Sequence, residues 1–328
     1  MADDLHHRHF HAAPPARGEK LIERFRGNAL NSIVVIVNAS AGQGYCGGWS
    51  AALAEKFRAQ GAEADITLAK SGEEMIARAK RAVADGARVV VAGGGDGTIN
   101  AVASALVGSQ TRLGVLPLGT LNHFAKDLNI PLELDEAVAN AVHGAPAQVD
   151  VGEVNGRIFL NNSSLGIYPD IVRDREKQQK HLGRSKWHAF ARAVFVAARR
   201  FPFMSVRLKI NGSEHLRRTP FVFIGNNEYM QGLTMGERER LDSGMMYLYV
   251  AQKPTRLGLL RYAIHALFGR LSEAKDFDVL SSTDLVIETR HREIRVATDG
   301  EVTVMTPPLC YRSRAKALNV IVPVVPAT

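Results

Sequence analysis

Arg88–Leu106 reads RVVVAGGGDGTINAVASAL. An apolar, β-forming run, Arg88–Ala92, passes into Gly93-Gly94-Gly95-Asp96-Gly97, and helical spacing follows from Thr98 to Leu106. Glycines let backbone N–H groups approach an anion closely, and the start of a helix adds its own orphan N–H groups. Thr98 stands where a capping hydroxyl is expected. A carboxylate at Asp96 repels phosphate oxygens unless a cation lies between them, so this loop implies a nucleotide together with Mg2+. The spacing is not GxxxxGK[ST], which separates it from the P-loop.

The same alternation continues on both sides. Ile33–Val37, Ala64–Leu68 and Leu113–Leu116 read as strands, and Ser50–Ala59, Glu73–Ala84, Thr120–Leu128 and Leu134–Val142 as helices. Repeated βα units predict a doubly wound parallel sheet with ligands at the C-terminal strand ends. Two more turns lie at that edge. Asn38–Gly48 contains G-x-G-x-x-G at 42–47, with Asp65 further on as in a dinucleotide fold, although four residues separate Gly42 from its strand. Pro117-Leu118-Gly119-Thr120-Leu121-Asn122 offers Gly119 for backbone approach, Thr120 as a cap and Asn122 to read a base edge or ribose.

After Val149 the texture becomes antiparallel β. Gln148–Val154 and Arg157–Asn162 flank the hairpin signal Asn155-Gly156, and Met204–Ile210, Pro220–Ile224, Met246–Val250, Asp284–Glu288, Glu293–Ala297 and Leu318–Val322 follow. The expected architecture is a tail over 1–30, an α/β domain over 31–145 and a β-sandwich over 146–328, whose last residues are able to return to the first domain. Thr298-Asp299-Gly300-Glu301 lies between two β runs and reads first as a hairpin turn. Glu301 there is a fixed carboxylate, able to take a proton from a hydroxyl if it faces a nucleotide.

With 328 residues, 46% apolar and 23% charged, the composition is globular and excludes a wholly disordered or collagen-like chain. Cys46 and Cys310 give neither a disulfide framework nor zinc spacing, and the longest early aliphatic run, Ile33–Val37, is far short of a membrane span. A signal-peptide stretch is absent from the start, so the expected location is cytosolic. His6, His7, His9 and His11 sit in a Pro-flanked polar tail that reads as disordered rather than metal-binding. The net charge of +8 is concentrated: Arg173–Arg218 holds thirteen Lys and Arg against three acids, which leaves the rest of the chain at −2. One basic segment, not a basic fold, calls for an anionic partner.

The set GGDGT (Gly94–Thr98), PLGTLNHFA (Pro117–Ala125), Asp150 in VDVGEVNGRIFLNN, and DGE (Asp299–Glu301) resembles the diacylglycerol/sphingosine lipid kinase family, most closely its soluble bacterial members. The likeness runs from about residue 31 to the C-terminus, and the four motifs together are specific. It implies ATP and Mg2+ in the cleft of an α/β domain followed by a β-sandwich, and γ-phosphoryl transfer to a lipid hydroxyl. By the resemblance Asn38 and Gly42 line the first loop, Thr67 approaches the phosphates, Gly94, Gly95, Asp96, Gly97 and Thr98 cradle them, and Gly119, Thr120 and Asn122 hold the nucleotide. Asp96 and Asp150 fall in the metal and water network, and Glu301 is the general base. A second metal loop corresponds to Asp242 in Leu241-Asp242-Ser243-Gly244, where Ser243 replaces the usual second acid. Ala39 replaces a frequent proline, and His123 a frequent aspartate.

A lipid acceptor implies peripheral contact with an anionic membrane through Arg173–Arg218. Two basic amphipathic patterns fit such contact: Trp187, Phe190, Val194, Phe195 and Ala198, then Leu257, Leu260, Ile264, Leu267, Phe268 and Leu271. Packing on the sandwich is the competing fate of both stripes. Nucleic acid is disfavoured because no base-stacking platform accompanies the charge, and a homodimer stays open. The competing activities are phosphorylation of a soluble substrate, as in NAD kinases, and catalytically weak sensing of nucleotide or lipid.

Overall fold

A computed structural model describes residues 32–40, 48–166, 203–229, 238–251 and 277–324. Its first part alternates β1 (Ser32–Asn38), α1 (Trp49–Ala59), β2 (Glu63–Ala69), α2 (Gly72–Ala84), β3 (Val89–Gly94), α3 (Asp96–Leu106) and β4 (Arg112–Pro117). A short α4 (His123–Asp127) and then α5 (Leu134–His143) follow. The four strands are parallel in the order β2-β1-β3-β4. The period of two along β1 decides which helices cover which face. Ile33, Val35 and Val37 meet Leu53 and Phe57 of α1 and Val138 of α5. Ile36 points the other way, into a core with Met75 and Ala79 of α2 and Ile99 and Val102 of α3. Both faces are dry, which is why these strands read as continuous apolar runs.

The second part contains β5 (Ala145–Val154), β6 (Arg157–Phe159), β7 (Asn162–Gly166), β8 (Met204–Ile210), β9 (Ser213–Thr219), β10 (Phe221–Asn226), β11 (Met246–Ala251) and β12 (Phe277–Ser282). It closes with β13 (Asp284–Thr289), β14 (Ile294–Thr298), β15 (Glu301–Met305) and β16 (Leu309–Val322). One sheet runs β12-β11-β10-β7-β14-β15, with every described pairing antiparallel. Its inward residues, among them Leu165, Val222, Ile224, Leu248 and Val296, meet Val206, Leu208, Leu285, Ile287 and Tyr311 of the opposing sheet. The result is the α/β domain followed by an antiparallel β-sandwich.

The opposing sheet is not separate from the parallel one. β16 lies parallel to β4 at Val320↔Leu113, and the order continues β16-β13-β8-β9. β16 also pairs antiparallel with β5, from Ala145↔Val322 to Val154↔Tyr311, through an irregularity between Arg314 and Leu318. A ten-stranded sheet therefore spans both halves.

The strand expected over Arg157–Asn162 is two strands. β6 belongs to the ten-stranded sheet and β7 to the six-stranded one, and the chain changes sheets at Leu160-Asn161. The helix expected over Thr120–Leu128 shortens to α4, because Asn122 takes left-handed φ and starts it late. Two strands have no counterpart in the sequence reading: β9 and β12. Each is at the edge of its sheet, so half its pattern faces water. Among the described residues no helix is long and apolar enough to cross a membrane.

Candidate active site

At the C-terminal ends of β1, β3 and β4 a cleft of about 600 Å³ opens. Asn38, Gly95, Gly97, Thr98, Gly119, Thr120 and Glu301 line it, together with Ser40, Gly72, Met75, Ala101 and Leu118. The glycine turns meet here. Leu118 N–H donates to Gly94 O at 3.0 Å. A methyl on Gly119 would lie 2.4 Å from Gly95 Cα, so only a residue without Cβ lets the two loops touch backbone to backbone. α3 begins at Gly95 with no side-chain cap, which leaves its first-turn N–H groups for a ligand.

Several expected roles are corrected by this geometry. Thr98 is not a cap; it is buried in the first turn, and its Oγ1 accepts from Asn38 Nδ2 at 3.2 Å. Asn38 Oδ1 in turn accepts from Ser40 N–H at 2.9 Å, shaping the first loop. Thr120 is not a cap either, since α4 starts from Asn122. Asn122 is not among the residues that line the cleft. It is buried, its Oδ1 accepts from Gly119 N–H at 3.0 Å, and its Nδ2 donates to Gly119 O at 2.9 Å and Pro117 O at 3.2 Å. Its side chain folds the loop that presents Gly119.

Of the three acids read as metal ligands, Asp96 and Asp150 accept from backbone N–H groups and Asp242 from a side chain. Asp96 accepts from Phe124 N–H at 3.1 Å and His123 N–H at 3.3 Å, strapping the start of α4 to α3. Asp150 is buried, and its two oxygens accept from Gly244 N–H at 2.6 Å and Lys316 N–H at 2.8 Å. Asp242 accepts from Arg240 Nε at 3.1 Å, and that hydrogen bond holds its carboxyl below the usual carboxylate range. Beside it, Ser243 Oγ donates to Asn227 Oδ1 at 2.5 Å. Among the described residues no group of three His, Cys, Asp or Glu is placed to hold a metal. The carboxylates thus do not fit an all-protein Mg2+ site. His123, in the position where aspartate is frequent, keeps its Nε2 buried without a hydrogen-bond partner.

Thr67 lies half-buried on the edge strand β2, paired with Ile36, and does not line the cleft. Asp65 pairs with Arg78, which removes it as a ribose acid. Gly42, the N-terminal histidines and both amphipathic patterns fall outside the described residues. In the described part of the basic segment three cations lie near acids and the fourth lies over an aromatic ring. Lys209 lies 2.7 Å from Glu288 and 3.7 Å from Glu214, Arg207 lies 3.8 Å from Glu214, Arg217 lies 3.7 Å from Asp278, and Arg218 stacks over Phe203.

Glu301 comes from the far side of the cleft, on the second sheet. Asp299 and Gly300, with φ of 47° and 86°, form the two-residue turn between β14 and β15. The turn is bolted to the place where the chain changes sheets. Asp299 carboxylate oxygens accept from the N–H groups of Leu160 at 2.7 Å, Asn161 at 2.9 Å and Asn162 at 3.0 Å. Burial pushes the Asp299 carboxyl up to about 6, against the pull of those donors and of Arg238. So held, Glu301 Oε1 lies 3.4 Å from where a Cβ on Gly97 would be, directly over the glycine loop.

Sequence reading missed two arginines. Arg157 Nη2 donates to Glu301 Oε2 at 2.6 Å, but in the sequence it looks like the tail of an Asn-Gly turn. Arg238 is fully buried. It donates to Asp127 Oδ2 at 2.7 Å, Leu160 O at 2.8 Å and Asn226 O at 2.7 Å, joining α4 to the sandwich. No local pattern announces it, since its partners come from three distant segments.

The site thus sets bare backbone at the ends of a parallel sheet opposite one carboxylate from a β-sandwich. Residues 32–154 match the diacylglycerol kinase catalytic domain, and residues 171–322 the YegS C-terminal NAD kinase beta sandwich-like domain. The chain belongs to the lipid kinase family that these two domains make up. It is similar to a probable lipid kinase YegS-like of Pseudomonas savastanoi pv. phaseolicola, 29% identical over 82% of this chain and 92% of that one. A diacylglycerol kinase of Staphylococcus aureus strain MRSA252 is 27% identical over 61% of this chain and 67% of that one. The crystal structure of a putative diacylglycerol kinase from Bacillus anthracis shares the fold, with a TM-score of 0.70 at 20% identity, over 89% of this chain and 97% of that one.

Proposed function

We propose that this protein transfers the γ-phosphoryl group of ATP to a hydroxyl group of a membrane lipid, with Glu301 as general base. The observation that carries the reading is the Glu301 carboxylate over Gly97, on the side of the cleft opposite the glycine turns. The triphosphate lies against the backbone of Gly95–Gly97, the start of α3 and Gly119, with Thr98, Thr120 and Asn38 as side-chain donors. Phosphoryl transfer asks mainly for alignment and charge stabilisation, which fixed backbone dipoles supply. Glu301 takes the proton of the acceptor hydroxyl as its oxygen attacks phosphorus. A divalent cation brought by the triphosphate would supply charge neutralisation there.

The acceptor side lies toward the sandwich. Because Arg207, Lys209 and Arg217 pair with acids and Arg218 lies over the Phe203 ring, contact with an anionic membrane falls to the charges between Arg173 and Arg200.

The test is transfer from γ-labelled ATP to diacylglycerol, monoacylglycerol, sphingosine, ceramide and phosphatidylglycerol in detergent micelles. Wild type labels at least one of these lipids, and Glu301→Ala and Glu301→Gln lose about 100-fold or more, in the range of a general base. Near wild-type turnover by either variant removes Glu301 from its role, and labelling of NAD without lipid replaces the acceptor class.

A further inference from the structure

We propose that Arg157 is a positioning residue for transfer, fixing which oxygen of Glu301 meets the acceptor hydroxyl. The inference rests on the reading of Glu301 as the base.

Arg157 opens β6, directly after the Asn155-Gly156 turn, where Val154↔Arg157 closes the hairpin. It thus reaches from the ten-stranded sheet to the carboxylate of the six-stranded one. Two hydrogen bonds fix its planar group. Nε donates to Thr298 Oγ1 at 3.0 Å, and Nη2 donates to Glu301 Oε2 at 2.6 Å. Thr298 is wholly buried at the end of β14, so the guanidinium has a rigid seat. An ordinary half-exposed ion pair wanders among rotamers and contributes little. Here the donor is held at its own Nε, and the carboxylate stands at the first residue of β15, beyond a turn bolted by Asp299.

The outcome is an asymmetric carboxylate. Oε2 is occupied by Arg157, and Oε1 is turned toward Gly97 and the cleft. In transfer the acceptor O–H bond breaks and its proton goes to Oε1. The freed oxygen pair forms the new O–P bond, and the bond between the γ-phosphorus and the bridging oxygen breaks, its electron pair leaving with ADP. Arg157 touches none of these atoms; it keeps Oε1 as the oxygen presented. Lysine keeps the charge at this position but lacks the planar fork that engages Thr298 and Glu301 together.

Arg157→Ala, Arg157→Gln and Arg157→Lys are compared with wild type and Glu301→Gln on whichever lipid of the panel wild type labels best, with folding checked by thermal unfolding. In Arg157→Ala kcat falls about 10- to 100-fold while KM for ATP stays within about twofold, as expected for a misaligned base. Added guanidinium chloride restores part of kcat in Arg157→Ala and none in Glu301→Gln, and Arg157→Lys keeps only part of the activity. Should Arg157→Ala not fold, Arg157→Gln gives the same split. Unchanged kcat, a loss confined to KM for ATP, or equal guanidinium effects on wild type and Arg157→Ala overturn the inference. Full activity in Glu301→Gln overturns instead the base reading on which it rests.

Discussion

Asp299 shows how one side chain can carry the precision of a site without touching substrate. Its carboxylate receives three successive N–H groups at the sheet crossing, and the next residue but one is Glu301. The folded protein raises its pKa from 3.8 to about 6, chiefly through burial. The folded chain therefore holds this proton more tightly than the unfolded chain. That contribution to stability is complete below pH 3.8 and is lost as pH rises through about 6. Carbon-detected titration of the Asp299 carboxyl should show a midpoint near 6. In urea melts Asp299→Asn should lose this pH-dependent component, and a midpoint below 4 would contradict the assignment. At this scale the sequence announced Gly95, Gly97, Gly119 and Glu301, because their value lies in local backbone and in one exposed carboxylate. It did not foresee that Asp96, Asn122 and Asp150 hold backbone groups. Their partners are backbone groups from other turns or distant segments, and nothing in a motif distinguishes a carboxylate that holds backbone from one that holds metal.

Among the elements, α4 shows how a helix of five residues is kept in place at both ends. Asp96 takes the N–H groups of His123 and Phe124 at its start, and Asp127 at its end pairs with buried Arg238 of the sandwich. Removing one partner of such a pair leaves an uncompensated charge in a dry site, so Asp127→Ala should cost about 3–5 kcal/mol in chemical denaturation. Replacing Arg238 and Asp127 together by apolar residues should cost less than Asp127→Ala alone; a larger loss in the double variant would argue against desolvation as the cause. The inner parallel strands β1, β3 and β4 were legible because burial on both faces makes them largely apolar. β9 was not: SEHLRRT is an edge strand whose charges pair across to neighbours, as Lys209 does with Glu214, and such a stretch reads as a loop.

Under the proposed function the whole molecule would separate two dealings with anions. The cleft contains no lysine or arginine among its described lining residues, while the chain's surplus of positive charge is concentrated between Arg173 and Arg218. At the described end of that segment Arg207, Lys209 and Arg217 pair with Glu214, Asp278 and Glu288 and Arg218 lies over Phe203, so membrane attraction should depend on its earlier part. Sedimentation with vesicles should rise with anionic lipid and fall with salt, since exposed charges are screened within about 8–10 Å. Arg192, Arg199 and Arg200 reversed to Glu should weaken that binding at least several-fold while leaving ATP affinity alone. Unchanged sedimentation would place the membrane contact elsewhere.

β16 has a bearing on how the molecule comes into being. It supplies the neighbour of β4 in the parallel part and of β13 and β5 in the rest, yet it leaves the ribosome after every other described strand. Chains with several domains usually set the earlier one while the later is still being made. Here the α/β half emerges first with one flank of its sheet open and must wait. Translation that stops short of Leu309 should leave the ten-stranded sheet in the separate pieces β2-β1-β3-β4, β5-β6 and β13-β8-β9, a natural target for proteolysis, in place of a finished α/β domain with a missing partner.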